Sequence, residues 1–133
     1  VGFDLKIEPR QTYLYAAFAG RFDLADAKGH VQTLFDTCAS MGCSKVLADA
    51  RGVEGPLSVG ERYEYANLLV AGQAAHLAAG HGLVRVAYLG DAGLLDSARL
   101  GETVARNRGV EVKVTTDPAE AATFLGIDLE SLS

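Results

Sequence analysis

The sequence predicts an α/β fold: an N-terminal β-hairpin followed by αβαβαβα, built on a mostly parallel five-stranded sheet. Three observations predict it. The chain opens with strict apolar–polar alternation, then a short turn, then a second apolar run, which together read as a hairpin. Beyond it, short apolar runs alternate with stretches whose apolar residues recur at spacings of three and four. Strands that alternate with helices pair in parallel through right-handed crossovers.

The elements follow in order. Phe3, Leu5 and Ile7 alternate with Asp4, Lys6 and Glu8, a half-buried strand. Pro9-Arg10-Gln11 is a turn, and TYLYAAFAG is a second strand, nearly apolar on both sides and ended by Gly20. A helix is expected over 23–41, capped by Asp23 or Asp26, with Ala27, Val31, Leu34, Phe35 and Cys38 as its apolar stripe and Gly42 as its stop. KVLADA is the third strand, with adjacent apolar positions that fit a strand covered on both faces. A long helix over about 58–79 begins at Ser58, three residues before Glu61, which is the spacing of a capping box. Its buried face is expected to be Val59, Tyr63, Ala66, Val70, Ala74 and Leu77. GLVRVAYLG is the fourth strand. A helix from Asp96 to about Asn107 follows, with Glu102 and Arg106 as an i, i+4 pair and Gly109 after it. VEVKVTT is the fifth strand, and Asp117-Pro118 starts a last helix with proline at its first position.

At 133 residues the chain is read as one domain, 1–133, long enough to bury a core without staples. Apolar residues make up 49% and charged residues 22%, which excludes a disordered chain. Acids outnumber bases 17 to 12, a net charge of −5, which argues against nucleic acid as partner. The stretch from Arg99 to Lys113 is locally basic but interleaved with Glu102 and Glu111, a mixed-charge solvated face. Cys38 and Cys43 form neither a disulfide framework nor a zinc cluster and read as two half-buried thiols in a reducing compartment. No signal peptide is visible, and no apolar run reaches the ~18 residues of a membrane span, so a cytoplasmic location is expected.

The stretch ADARGVEGPLSVGERYEY, residues 48–65, holds the candidate chemistry. Asp49 lies where α/β folds place function, near the carboxyl end of a strand, with Arg51 beside it to hold an anion. A general base needs a partner in reach of the reacting group, and no second acid, histidine or nucleophile stands in a motif with Asp49. His30, His76 and His81 lie in or beside helices and read as partly exposed polar residues. No catalytic set, metal site or cofactor motif is therefore assigned. A structural reading accounts for the whole stretch: Asp49 pairs with Arg51 or accepts loop N–H groups, Gly52 and Gly55 permit unusual backbone angles, and Ser58 caps a helix. Further on, LLVAGQAAHLAAG carries more apolar side chains than one stripe can hide. That excess points to a ligand, a partner or a second copy; cover by the helix over 96–107 accounts for it equally well.

The order of elements resembles that of the SpoIIAA-like (STAS-like) family, the fold of anti-anti-sigma factors, and so do three phrases: KVLADARGVEGPLS, LGETVARNRGVEVKV and DPAEAATFL. They look most like its small stand-alone bacterial members. The resemblance implies a singly wound superhelix of β-α units with helices mainly on one side of the sheet. In the regulatory branch a phosphorylatable serine opens the second helix, which Ser58 matches in position; Leu57 stands where that branch has an acid. The stand-alone branch implies binding of small apolar ligands or contact with membrane surfaces. The expectation is a non-enzymatic binding module for a lipid-like ligand, a protein partner or a membrane surface. Tyr63, Leu69 and Val70 are its candidate lining residues, faced by Leu94 and Leu95. The alternative is a phospho-regulated interaction protein with Ser58 as phosphoacceptor. The apolar helix and the open hairpin edge are two surfaces for self-association.

Overall fold

The computed structural model describes residues 2–54, 57–91 and 102–128. Strands β1 (Phe3–Pro9) and β2 (Leu14–Arg21) form the expected antiparallel hairpin, closed by Arg10 N–H donating to the Tyr13 carbonyl at 2.9 Å. Strands β3 (Lys45–Glu54), β4 (Arg85–Leu89) and β5 (Glu111–Thr115) then add in parallel, so the sheet runs β1-β2-β3-β4-β5 in chain order. The connections from β2 to β5 all pass over the same face, and right-handed crossovers on one face each advance the sheet in the same direction, which makes it singly wound.

Local signals set the helix ends. Helix α1 (Leu24–Met41) is capped by Asp23, whose carboxylate accepts from Asp26 N–H at 3.0 Å, and it stops at Gly42 with φ 66°. Helix α2 (Val59–Ala78) carries the full capping box: Ser58 Oγ accepts from Glu61 N–H at 3.1 Å, and Glu61 Oε1 accepts from Ser58 N–H at 2.8 Å. Residues 102–107 are helical and form the described part of α3. Helix α4 (Pro118–Leu125) is capped by Asp117 and ends at Gly126, φ 70°.

The three crossover helices cover one face. There α1 contributes Ala27, Val31, Leu34, Phe35 and Cys38, and α2 contributes Leu69, against Leu14, Ala16, Phe18, Val46, Ala48, Val84 and Val86 of the strands. Ala66 and Ala105 join α2 to α3 over Val110 and Val112. The other face is covered by α4, which sets Ala121 and Leu125 on Tyr13, Leu47, Ala87 and Leu89. The expected i, i+4 partners Glu102 and Arg106 both turn to the outer edge of β5: Arg106 Nε donates to the Val112 carbonyl at 2.7 Å, and Glu102 accepts from Val114 N–H. They satisfy backbone groups that an edge strand otherwise leaves open.

Two expectations need correction. The buried residues of α2 are Ala66, Leu69, Gln73 and His76, whereas Val59, Tyr63 and Leu77 are 61%, 41% and 44% exposed. The helix is rotated from the stripe that apolar spacing suggests, because two polar residues have specific buried partners. Gln73 Oε1 accepts from Val84 N–H at 3.2 Å, and the His76 ring stacks on His81 at 4.5 Å and tilts against Phe35 at 5.5 Å. Burial and the neighbouring His81 both lower the pKa of His76, so its buried form is neutral. The second correction concerns β3, which does not end at Ala50. It runs on to Glu54 by pairing with β2 alone, after a register shift in which Ala17 faces Asp49 but Ala19 faces Gly52. Two residues of β3, Ala50 and Arg51, therefore stand opposite Phe18, which is a β-bulge. A Cβ on Gly52 would lie 2.9 Å from the Phe18 carbonyl oxygen, so glycine is required where the strands close again.

Candidate functional site

The bulge decides what faces what. Along β3, Val46, Ala48 and Ala50 point to the three-helix face and Leu47 and Asp49 to the α4 face. The extra residue shifts this alternation by one, so Val53 returns to the three-helix side. Asp49 and the apolar residues of α2 thus belong to opposite faces of the sheet.

On the α4 face, Asp49 is 8% exposed and fully engaged. Its Oδ1 accepts from Arg51 N–H at 3.1 Å and Arg51 Nε at 2.9 Å; its Oδ2 accepts from Arg51 Nη2 at 2.7 Å and from the Tyr15 hydroxyl at 2.6 Å. The bulge frees the Arg51 N–H from the ladder and the neighbouring carboxylate takes it. Burial pushes the Asp49 pKa up, but the hydrogen bonds from Arg51 and Tyr15 outweigh it and hold the group below the usual carboxylate range. The same contacts raise Arg51. An ionised acid with four donors is poorly suited to trade protons. Asp49 and Arg51 therefore act as the lock of the bulge.

On the three-helix face, a cavity of about 90 Å³, open to solvent, lies between the first half of α2 and the carboxyl ends of the strands. Its walls are Phe3, Phe18 and Phe22 from the hairpin side, Ala50 and Val53 from β3, and Leu57, Tyr65, Ala66 and Leu69 on or just before α2. Tyr88, Val112 and Val114 complete it from β4 and β5, and Arg62 and Glu102 are its charged lining residues. The rings form a continuous arc: Phe18 to Phe3 at 5.6 Å, Phe3 to Phe22 at 5.3 Å, Phe22 to Tyr65 at 6.0 Å and Tyr65 to Tyr88 at 5.9 Å between centroids. The Tyr65 and Tyr88 hydroxyls lie 2.5 Å apart. Burial pushes Tyr65 up to about 12 and Tyr88 well above its ordinary value, so both are neutral donors. Arg62 Nε donates to the Leu57 carbonyl at 3.1 Å, and Glu102 is held by Val114 N–H.

Of the candidate residues, Leu69 lines this cavity. Val70 packs on the Ala66–Ala105–Val112 cluster beside it, and Tyr63 lies on the outer side of α2, where Arg108 donates to its hydroxyl at 3.1 Å and stacks over its ring at 5.6 Å. Leu94, Leu95 and Arg99 lie outside the described residues. Ser58 is exposed and adjoins the cavity through Leu57. Cys38 is wholly buried and Cys43 half-buried, both free; burial and the neighbouring Cys43 push Cys38 up to about 12, which makes it an inert core thiol. Sequence reading missed Phe3, Phe18, Phe22, Tyr65 and Tyr88. The available signal was that these aromatics fall at or near the strand ends and on α2, facing the same side once strand parity is followed.

No family profile matches the chain, and no curated protein matches it. Solved structures do. An anti-sigma factor antagonist from Mycobacterium paratuberculosis superposes with a TM-score of 0.58 at 13% identity, over 94% of this chain and 95% of that one. A DUF3478-family protein with a SpoIIAA-like fold from Shewanella loihica PV-4 superposes with a TM-score of 0.55 at 22% identity, over 93% of each. Identities this low speak to architecture, and with the singly wound sheet and its N-terminal hairpin they establish that the chain has the SpoIIAA-like, or STAS-like, fold.

Proposed function

We propose that the chain is a non-enzymatic, cytoplasmic STAS-like binding module that takes a small apolar ligand in the aromatic cavity beneath the first half of α2. The observation that carries this reading is the cavity itself: five rings converge on an opening whose remaining walls are almost wholly aliphatic. Concave, apolar sites with a few placed polar groups are the usual form of small-molecule sites. The acid that sequence position favours for chemistry, Asp49, is on the other face and tied to Arg51. At about 90 Å³ the cavity holds a compact group and not a whole lipid, since drug-sized ligands occupy roughly 300–1,000 Å³. The test is a methyl-resolved NMR titration of the native chain with compact aromatic and short-acyl compounds, beside native mass spectrometry of freshly purified protein. Shifts centred on the lining methyls of Val53, Leu57, Leu69, Val112 and Val114 are expected; no shift at these methyls with any compound, and no bound small molecule, would refute the reading.

A second reading, a protein partner controlled by phosphate on Ser58, is supported by that residue's exposure at the start of a 20-residue helix. A phosphate there gains from the helix-terminal N–H groups but meets the Glu61 carboxylate already held 2.8 Å from Ser58 N. Phosphopeptide mapping of protein from its own cells decides it: unmodified Ser58 under all growth conditions counts against the switch.

A further inference from the structure

The cavity contains a hydrogen-bond donor that the protein leaves unanswered. Tyr65 and Tyr88 bond to each other through their hydroxyls at 2.5 Å, and among the described residues neither hydroxyl has another partner. Each phenol carries a single O–H proton. Whichever ring donates, one proton is used and the other belongs to the accepting hydroxyl, with no acceptor of its own. Both rings line the cavity, and their neighbours there, Phe22, Leu69 and Val112, offer no side-chain acceptor. Glu102, the lining carboxylate, takes Val114 N–H on Oε2 and makes no hydrogen bond to either tyrosine among the described residues. Burial keeps both phenols protonated far above neutral pH, so the free proton is a permanent feature of the site. Both rings are part-buried, so that proton faces the cavity, where a seated ligand can meet it.

We infer that the ligand of this cavity carries an acceptor oxygen, a carbonyl of the ketone, ester or carboxyl kind, on a compact apolar body, with that oxygen seated on the free proton of the Tyr65–Tyr88 pair. The inference rests on the reading of the cavity as a ligand site and adds the chemical class. The aromatic arc holds the apolar body, and the tyrosine pair fixes its orientation. Because the cavity opens to solvent, a ring or acyl end can seat inside while the remainder extends outward.

The test uses two molecules of the same shape, acetophenone and α-methylstyrene, which differ by C=O against C=CH₂. Their affinities are measured by NMR titration on the native chain and on the double variant Tyr65→Phe/Tyr88→Phe. Removing both hydroxyls together leaves no orphan, so the variant is expected to fold. The preference for acetophenone over α-methylstyrene is expected to fall about tenfold from native to variant, the worth of one hydrogen bond, while differences in transfer from water cancel. An unchanged ratio, with both compounds binding both proteins, overturns the acceptor inference and leaves the apolar site standing. Binding of neither compound to the native chain overturns the site itself. A second measurement needs no variant: the infrared stretch of carbonyl-labelled acetophenone bound to native protein is expected below its position in hydrocarbon solvent, and an unshifted band overturns the assignment.

Discussion

Replacing Gly72 by alanine tests the helix packing that roofs the site. Gly72 lies inside α2, where alanine is normally better than glycine by about 0.5–1 kcal/mol. Yet a Cβ there would sit 2.5 Å from Phe35 Cε2, 2.6 Å from Cδ2 and 3.3 Å from Val31 Cγ1 on α1. Carbon atoms pack best at about 3.5–4.0 Å, so either α1 withdraws by about 1 Å or the Phe35 ring turns. Phe35 is 6% exposed and its ring is set against His76, and Val31 is 3% exposed, so neither has free space. Overpacking of this kind costs about 1–3 kcal/mol, which exceeds the propensity gain. Gly72→Ala is therefore expected to destabilise by about 1 kcal/mol. Gly29 in α1 supplies the control, because a Cβ there meets nothing within 4 Å. Gly29→Ala is expected to stabilise by about 0.5–1 kcal/mol. The propensity term is common to both, so the difference between the variants isolates the packing cost. Urea unfolding followed by circular dichroism reads it as opposite shifts of the midpoint at unchanged slope. If Gly72→Ala stabilises as much as Gly29→Ala, the close approach of α1 and α2 is not what requires glycine, and the account of the three-helix face is wrong.

The other predictions concern the two polar devices at either end of the 49–61 segment. Asp49 has a depressed folded pKa, so its contribution is present above the unfolded value near 3.9 and is lost as pH falls toward the folded value. Native protein should lose more stability than Asp49→Asn on acidification below about pH 5, and parallel losses in the two proteins would contradict the lock. Ser58→Ala should cost about 1 kcal/mol, with Ser58→Asp close to native, because aspartate restores the cap; equal stability of the alanine variant in chemical denaturation would argue against the capping box.

What the sequence alone determined is local. The Ser58–Glu61 box, the Asp23 and Asp117 caps and the Gly42 and Gly126 stops are made by residues within a few positions of one another, so their spacing is sufficient to read them. Strand alternation and helix spacing likewise supplied the element order and the mostly parallel pairing, while the single winding of the sheet came from the family resemblance. The tertiary structure decided the rest. Gln73 and His76 turn inward because Val84, Phe35 and His81 meet them, and no periodicity in α2 encodes those partners. The bulge after Asp49 depends on how β2 closes against Gly52, yet it determines that Val53 faces the cavity and that Asp49 does not. The tyrosine pair joins residues 23 positions apart, and the aromatic arc gathers β1, β2, α2 and β4. A site made where separate elements converge has no short-range pattern, because its geometry comes from strand parity and helix rotation that only packing against distant segments can fix.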